Sequence, residues 1–106
     1  MNNMNFDEWL VAIFQLFGLS KDTILVDTFL KGNKTTVTFK QFADTAMRHP
    51  DWQPTIMAMV DYICTNKLFY NGRNYLPQDL ANAKSYVLDY LADFVLNALL
   101  AGYQFS

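Results

Sequence analysis

The sequence contains very few of the residues on which most enzymes depend. It has one cysteine, Cys64, and one histidine, His49, so a cysteine–histidine nucleophilic pair could be made only from these two. We expect both to be structural instead, because Cys64 lies beside the apolar stripe of a helix and His49 at a helix end. One histidine and one cysteine also cannot provide a zinc site of the usual kind. We therefore expect a protein that is not an enzyme and has no metal or other cofactor.

Signals for export or for membrane insertion are also missing. A single cysteine cannot form an internal disulfide bond, so nothing indicates an oxidising compartment. No basic residue precedes the first apolar stretch, unlike in a secretory signal. The longest uncharged run covers residues 94–106, which is shorter than the roughly 20 residues needed to cross a bilayer. We therefore expect a cytoplasmic protein without a membrane partner.

Charged residues are scarce, at 17% of the chain against roughly 25% in an average globular protein. The net charge is −2, whereas general nucleic-acid binding depends on clustered lysine and arginine side chains that displace counterions from phosphates. The four glycines stand singly, so the sequence has no glycine-rich phosphate loop. This composition argues against nucleic acid as the main partner.

Apolar residues, by contrast, make up 52% of the chain, and aromatic residues make up 16%. A chain of 106 residues is close to the size of one domain, so we expect a single helical domain over residues 1–106. A domain of this size buries about two-thirds of its unfolded surface. The apolar surplus therefore either fills the core well or remains partly exposed as an interface.

The first helix has clear signals at both ends. Asn5 followed by Glu8 forms an asparagine version of the capping box. The apolar stripe then has helical spacing over residues 6–17, at Phe6, Leu10, Ile13 and Phe17. Gly18 fits the position just after the last turn.

A second helix is predicted from the same kind of signals. Ser20 is a suitable cap and Gly32 a suitable stop, and Lys31 favours the negative end of the helix. The apolar residues between them are Ile24, Leu25, Phe29 and Leu30. Residues 35–39 are rich in β-branched side chains and are expected to be extended for a few positions.

The third and fourth helices are separated by proline. Thr38 with Gln41 makes a capping box that begins the third helix, and Pro50 ends it. Its inward residues are predicted to be Phe39, Phe42, Ala43, Ala46 and Met47. Pro54 suits the first turn of the fourth helix, with an inner face of Ile56, Met59, Val60 and Ile63.

The last helix is predicted to run from Pro77 to Ala101, with Gly102 as its stop. Its polar residues recur every three or four positions and form one narrow stripe: Gln78, Asn82, Ser85, Asp89, Asp93 and Asn97. Nearly all other positions are apolar, so this helix needs neighbours on most sides. Either the other helices surround it, or it forms the seam of a homodimer.

Residues 67–76 separate the last two helices. Asn71-Gly72 between two short aromatic runs favours a two-residue β-hairpin, with a plain loop as the alternative. Rigid aromatic residues and arginine are enriched at binding hot spots, so the candidate partner-binding residues are Phe69, Tyr70, Asn71, Arg73 and Tyr75. The expected fold is mainly α: a compact bundle of about five helices with a long C-terminal helix and room for this one hairpin.

Asp89 and Asp93 are further candidates for partner binding. They lie four residues apart and therefore next to each other on one helix face, where two like charges cost a few tenths of a kcal/mol. No lysine or arginine follows Ser85 to offset them. A basic partner surface would do so, although a solvated pair needs no partner.

A small helix-turn-helix regulator is the main alternative function. The second and third predicted helices are joined by a short segment, and Asn71-Gly72-Arg73 could form the tip of a wing. The base or phosphate contacts would come from Lys34, Lys40, Gln41 and Arg48.

Taken together, these features favour a non-enzymatic protein that binds another protein, and charge complementarity favours a partner with a basic surface. Immunity proteins and antitoxins that block a toxin, and phage proteins that block a host defence, are small acidic inhibitors of this kind. The comparison is an analogy of size and charge. A self-assembling structural or adaptor protein, with a homo-oligomer formed through the C-terminal helix, is a further alternative.

Overall fold

The computed structural model describes residues 5–63 and 77–105, and in the last helix it describes side chains from Asn82 onwards. Within these ranges the chain forms four α-helices, one short 3₁₀ helix and a two-stranded sheet. The elements, in chain order, are α1 (Phe6–Leu16), β1 (Ile24–Leu30), β2 (Asn33–Thr38), α2 (Phe39–Met47), a 3₁₀ helix (Pro50–Trp52), α3 (Gln53–Ile63) and α4 (Pro77–Leu100). The mainly helical class is therefore confirmed.

Helix α1 has the ends that the sequence predicts. The Glu8 backbone N–H donates to Oδ1 of Asn5 over 2.9 Å. At the other end, Gly18 has a φ of +82°, and its N–H donates to the carbonyl of Gln15 while that of Leu19 donates to Phe14. This pair of bonds is the Schellman ending that a left-handed glycine allows.

The predicted second helix is wrong, because residues 24–30 form strand β1. This strand pairs antiparallel with β2, and the register places Leu30 opposite Asn33. The two residues between them, Lys31 and Gly32, have φ values of +52° and +81°, which fits a type I′ hairpin turn. Over the described residues the bundle therefore has four α-helices, against the prediction of about five.

A β-bulge explains why the strand resembled a helix. The register shifts between Ile24 and Val26, so Leu25 and Val26 are both buried. A bulge inserts one extra residue and interrupts the alternation of inward and outward side chains that normally identifies a strand. The extended conformation predicted near residues 35–39 is confirmed by β2, which runs from Asn33 to Thr38.

Helix α2 begins at the predicted capping box. The Gln41 N–H donates to Oγ1 of Thr38, and the Thr38 N–H donates to Oε1 of Gln41. The helix ends at Met47, shortly before Pro50, as predicted. Met47 itself was expected to point inward, and the structure corrects this because it is 38% exposed. Helix α3 buries Ile56, Val60 and Ile63 as predicted, with Met59 partly buried against the core.

Helix α4 spans Pro77–Leu100, one residue short of the prediction. Its end is again a Schellman motif, because the N–H of Gly102 donates to Leu99 and that of Tyr103 donates to Ala98. The inner stripe, buried against the core, consists of Ala83, Val87, Leu91, Val95 and Ala98. Helix α4 packs against β1 and α3, so other parts of the same chain cover much of its apolar surface.

Aromatic rings connect the helices within the core. The Phe14 ring meets the Phe39 ring edge to face at 5.3 Å, and Phe42 meets Phe94 of α4 at 6.1 Å. Trp52 also contacts Phe94, at 5.2 Å between ring centroids. The segment after α4 returns to this cluster, where Phe105 packs on Trp52. One buried cluster therefore contains residues from every described element.

Candidate functional site

The two acidic candidates in α4 lie on its outer side. Asp89 and Asp93 are both exposed. The ion pairs between described residues join Lys34 with Asp27 and Lys40 with Asp44, so neither Asp89 nor Asp93 takes part in one. We call Asp89 and Asp93 the acidic ridge, because they stand next to each other along the exposed side of the helix.

An open groove lies on one side of the acidic ridge, between α3 and α4. Its volume is about 310 Å³. Apolar and aromatic side chains form most of the lining, which comprises Thr55, Ile56, Met59, Tyr62, Tyr90, Leu91, Asp93, Phe94 and Asn97. We call this the α3–α4 groove. Among the residues that the structure describes, none that lines this groove is basic, and Asp93 is the one that carries a charge.

A second groove, of about 360 Å³, lies on the other side of the ridge, between β1 and α4. Leu25, Val26 and Thr28 contribute from β1, and Ala92 and Leu96 contribute from α4, together with both acids of the ridge. We call this the β1–α4 groove. Since Asp93 lines both grooves, its carboxylate separates two largely apolar depressions on one face of the molecule.

The charge on this face has a single sign among the described residues. Helix α3 carries Asp61 and has no lysine or arginine. Helix α4 has one basic residue in its sequence, Lys84. Its Nζ lies 3.7 Å from where a Cβ on Gly18 would stand, at the end of α1, and Lys84 lines neither groove. The charged residues that line the two grooves, among those described, are therefore all acidic, and acidic groups attract positively charged ones.

The five candidates of the predicted hairpin, Phe69, Tyr70, Asn71, Arg73 and Tyr75, lie outside the described residues. Cys64 does too. The hairpin and its role in partner binding therefore stay predictions.

The residues proposed for nucleic-acid binding have partners within the fold. Lys34 pairs with Asp27 at 2.9 Å and Lys40 with Asp44 at 2.7 Å. Gln41 belongs to the capping box of α2, and a guanidinium nitrogen of Arg48 donates to Oγ1 of Thr45. These local bonds compete with contacts to phosphates or bases.

The proposed helix-turn-helix also lacks its first helix, because residues 24–30 form strand β1. A hairpin followed by α2 does not have the two-helix geometry in which the second helix enters the major groove. The predicted helix-turn-helix arrangement of residues 20–50 is therefore wrong.

His49 was expected to have a structural role at the end of a helix. Its ring stacks on Trp52 with centroids 4.5 Å apart, and Tyr103 meets it edge-on at 5.1 Å. The sole histidine thus belongs to the aromatic cluster that also includes Phe105.

The described residues contain neither a metal-binding cluster nor a helix suited to a membrane. In residues 5–63 and 77–105, no group of three or more histidine, cysteine, aspartate or glutamate side chains is placed to hold a metal ion. Over the same part of the chain, no helix combines the length and the apolar character that crossing a membrane requires.

The grooves were not predicted from the sequence. Met59 was predicted to lie on the inner face of its helix, Tyr90 counted only among the apolar positions of α4, and Tyr62 was given no role. A signal was present, since Met59 and Tyr62 recur at helical spacing in one helix, as Tyr90 and Phe94 do in the other. Helical spacing does not reveal that a groove remains open between the two helices.

Similarity to known proteins was sought in three ways. The chain matches no protein-family model, no curated protein and no solved structure. Any assignment of function therefore depends on the geometry described above.

Proposed function

We propose that this protein binds another protein and acts by covering part of that partner's surface, as a small inhibitor does. The observation that carries the proposal is the α3–α4 groove, which is open and mostly apolar. Among the described residues, Asp93 is the one charged residue of its lining and has no ion-pair partner. Exposed apolar surface beside polar residues is typical of interaction sites.

Residue types at the groove support a protein as the partner. Tyr62 and Tyr90 are exposed at its sides, and aromatic residues and methionine are enriched in protein interfaces relative to other surfaces. The carboxylates of the acidic ridge favour a basic partner surface, because complementary charges speed association and exclude acidic competitors.

Immunity proteins, antitoxins and phage proteins that block a host defence remain the nearest functional analogies, by size and charge. In each case one protein occupies the working surface of another and performs no chemistry on it. The α4 face, with its two grooves, offers such a contact surface on this chain.

The test begins with capture of the partner from the cells that make the protein, followed by identification and purification of what is bound. The partner's own activity is then measured while the protein is added in increasing amounts. We expect activity to fall and to level off near equimolar amounts, because occlusion is stoichiometric. Catalytic modification of the partner by trace amounts of the protein would contradict the proposal.

A further inference from the structure

We propose that the α3–α4 groove receives apolar side chains from one face of a short basic amphipathic helix of the partner. This inference rests on the proposed function, and it adds the kind of element that the groove binds. It follows from the length of the groove, from its lining and from the sign of the surrounding charge.

The length of the groove suits two anchoring side chains. Along α3 the lining extends from Thr55 to Tyr62, and along α4 from Tyr90 to Asn97. Seven residues of helix rise about 10 Å, which is two turns. A partner helix lying in such a groove inserts side chains spaced by three or four residues. The volume of about 310 Å³ is at the lower end of the range for small-molecule sites, roughly 300–1,000 Å³, and suits a few inserted side chains.

The lining explains why the inserted side chains should be apolar. Ile56 and Leu91 are buried at the groove, Met59 and Phe94 are partly buried, and the exposed tyrosines flank them. An apolar group placed there would remove apolar surface of both molecules from contact with water. Methionine adapts its shape to different neighbours, so Met59 can adjust to the side chain that enters.

The charge explains why the helix should be basic. Asp93 lines the groove, and Asp89 stands one turn away on α4. A lysine or arginine one turn from the apolar anchors of a partner helix would face these carboxylates. Because both acids are exposed, their effect is expected mainly in association rate and salt dependence.

The probe is a synthetic amphipathic peptide of about 18 residues, long enough to be helical when bound, with leucines at i, i+4 and i+7 and lysines beside them. Binding is followed by chemical-shift changes in the full-length protein and by Trp52 emission in a Trp9→Phe background. Trp52 is suitable because it contacts Phe94, which lines the groove. We expect the shifts to centre on Tyr62, Tyr90 and Asn97.

Matched variants separate the groove from its surroundings. Tyr90→Ala should weaken peptide binding at least about tenfold, as loss of a hot-spot aromatic does. Tyr86→Ala is the control, because Tyr86 is on the same helix, is 41% exposed against 43% for Tyr90 and does not line the groove. It should change affinity less than about twofold.

A filling variant covers the case in which Tyr90→Ala disturbs the fold. Thr55 is exposed and lines the groove, so Thr55→Phe should fill it and weaken binding. Ala58→Phe places the same ring at an exposed position of α3 outside the groove and should leave affinity unchanged.

Charge variants test the second half of the inference. Asp93→Asn should weaken binding a few-fold at low salt and flatten the salt dependence. Asp22→Asn removes an equal charge from a residue that lines neither groove and should have a smaller effect. A peptide with glutamate in place of lysine should not bind measurably.

The inference fails if the acidic peptide binds as well as the basic one, if both tyrosine variants bind alike, or if the shifts centre elsewhere. It also fails, while the proposed function stands, if the captured native partner binds Tyr90→Ala and Thr55→Phe as tightly as the wild type. The proposed function fails instead if the captured partner keeps its full activity when saturated with the protein.

Discussion

Asp27 shows how a single exposed carboxylate can be held in the charged form. Lys34 Nζ lies 2.9 Å from its Oδ1, and the Thr36 hydroxyl donates to the same oxygen over 3.1 Å. These hydrogen bonds, with that from Lys34 the larger cause, lower the pKa of Asp27 below its ordinary value. Lys34 also lies over the Phe29 ring, 5.2 Å from its centroid, so this one ammonium group on β2 contacts two residues of β1.

We expect Lys34→Gln to raise the pKa of Asp27 towards its ordinary value, because both the charge and its hydrogen bond are lost. A carboxyl NMR titration of wild type and variant measures this directly. Because the pKa of Asp27 is lower in the folded state, its carboxylate stabilises the fold at pH values above the ordinary pKa of aspartate. This stabilisation disappears as the pH falls through the lowered pKa. An unchanged Asp27 titration in the variant would show that Lys34 does not cause the shift.

Two leucines of α4 differ strongly in burial. Leu91 is 0% exposed and Leu100 is 60% exposed on the same helix. Leu91→Ala should lower the free energy of unfolding by about 2–5 kcal/mol, as buried large-to-small changes do, while Leu100→Ala should change it by less than about 0.5 kcal/mol. Urea denaturation measures both values. Similar losses for the two variants would mean that the core has been misplaced.

The β1–β2 hairpin gives a prediction at the scale of one element. Lys31 has a φ of +52°, a conformation in which asparagine is better tolerated than lysine. We expect Lys31→Asn to raise the free energy of unfolding by about 0.5 kcal/mol, because it creates the Asn-Gly pair that type I′ turns prefer. Lys21→Asn, which removes the same charge outside the turn, is the control. A loss of stability in Lys31→Asn would contradict the type I′ turn.

Elements whose ends carry their own signals could be predicted from the sequence. Asn5 and Gly18 delimit α1, and Thr38 with Pro50 delimits α2, because each interaction is made within a few residues of chain. Strand β1 could not be predicted, since its bulge hides the period-two pattern and its pairing with β2 depends on a partner strand. Asp89 and Asp93 were correctly expected to be exposed, because their stripe follows from helical spacing alone.

The grooves depend on the whole molecule and therefore lay beyond sequence reasoning. The α3–α4 groove exists because two helices, separated by residues 64–76 in the chain, pack so that Phe94 meets Trp52 and Phe42 while Tyr62 and Tyr90 remain exposed. Helical periodicity predicts which face of each helix is apolar. It does not predict how closely the two faces approach.

Self-association is the alternative to be tested at the scale of the whole molecule. Helix α4 packs against β1 and α3, so we expect a monomer across micromolar concentrations in multi-angle light scattering. Exposed apolar residues on α4, among them Leu100, provide the surface that a dimer would use. A stable dimer whose dissociation depends on Leu100 would support the self-assembly alternative instead.

The central claim is that the protein holds a basic partner through the α3–α4 groove. The most direct measurement is the affinity of the captured native partner for the wild type, for Tyr90→Ala and for Tyr86→Ala, each confirmed to be folded by circular dichroism. Our account predicts at least about a tenfold loss for Tyr90→Ala and none for Tyr86→Ala. Equal affinity for all three proteins would contradict it.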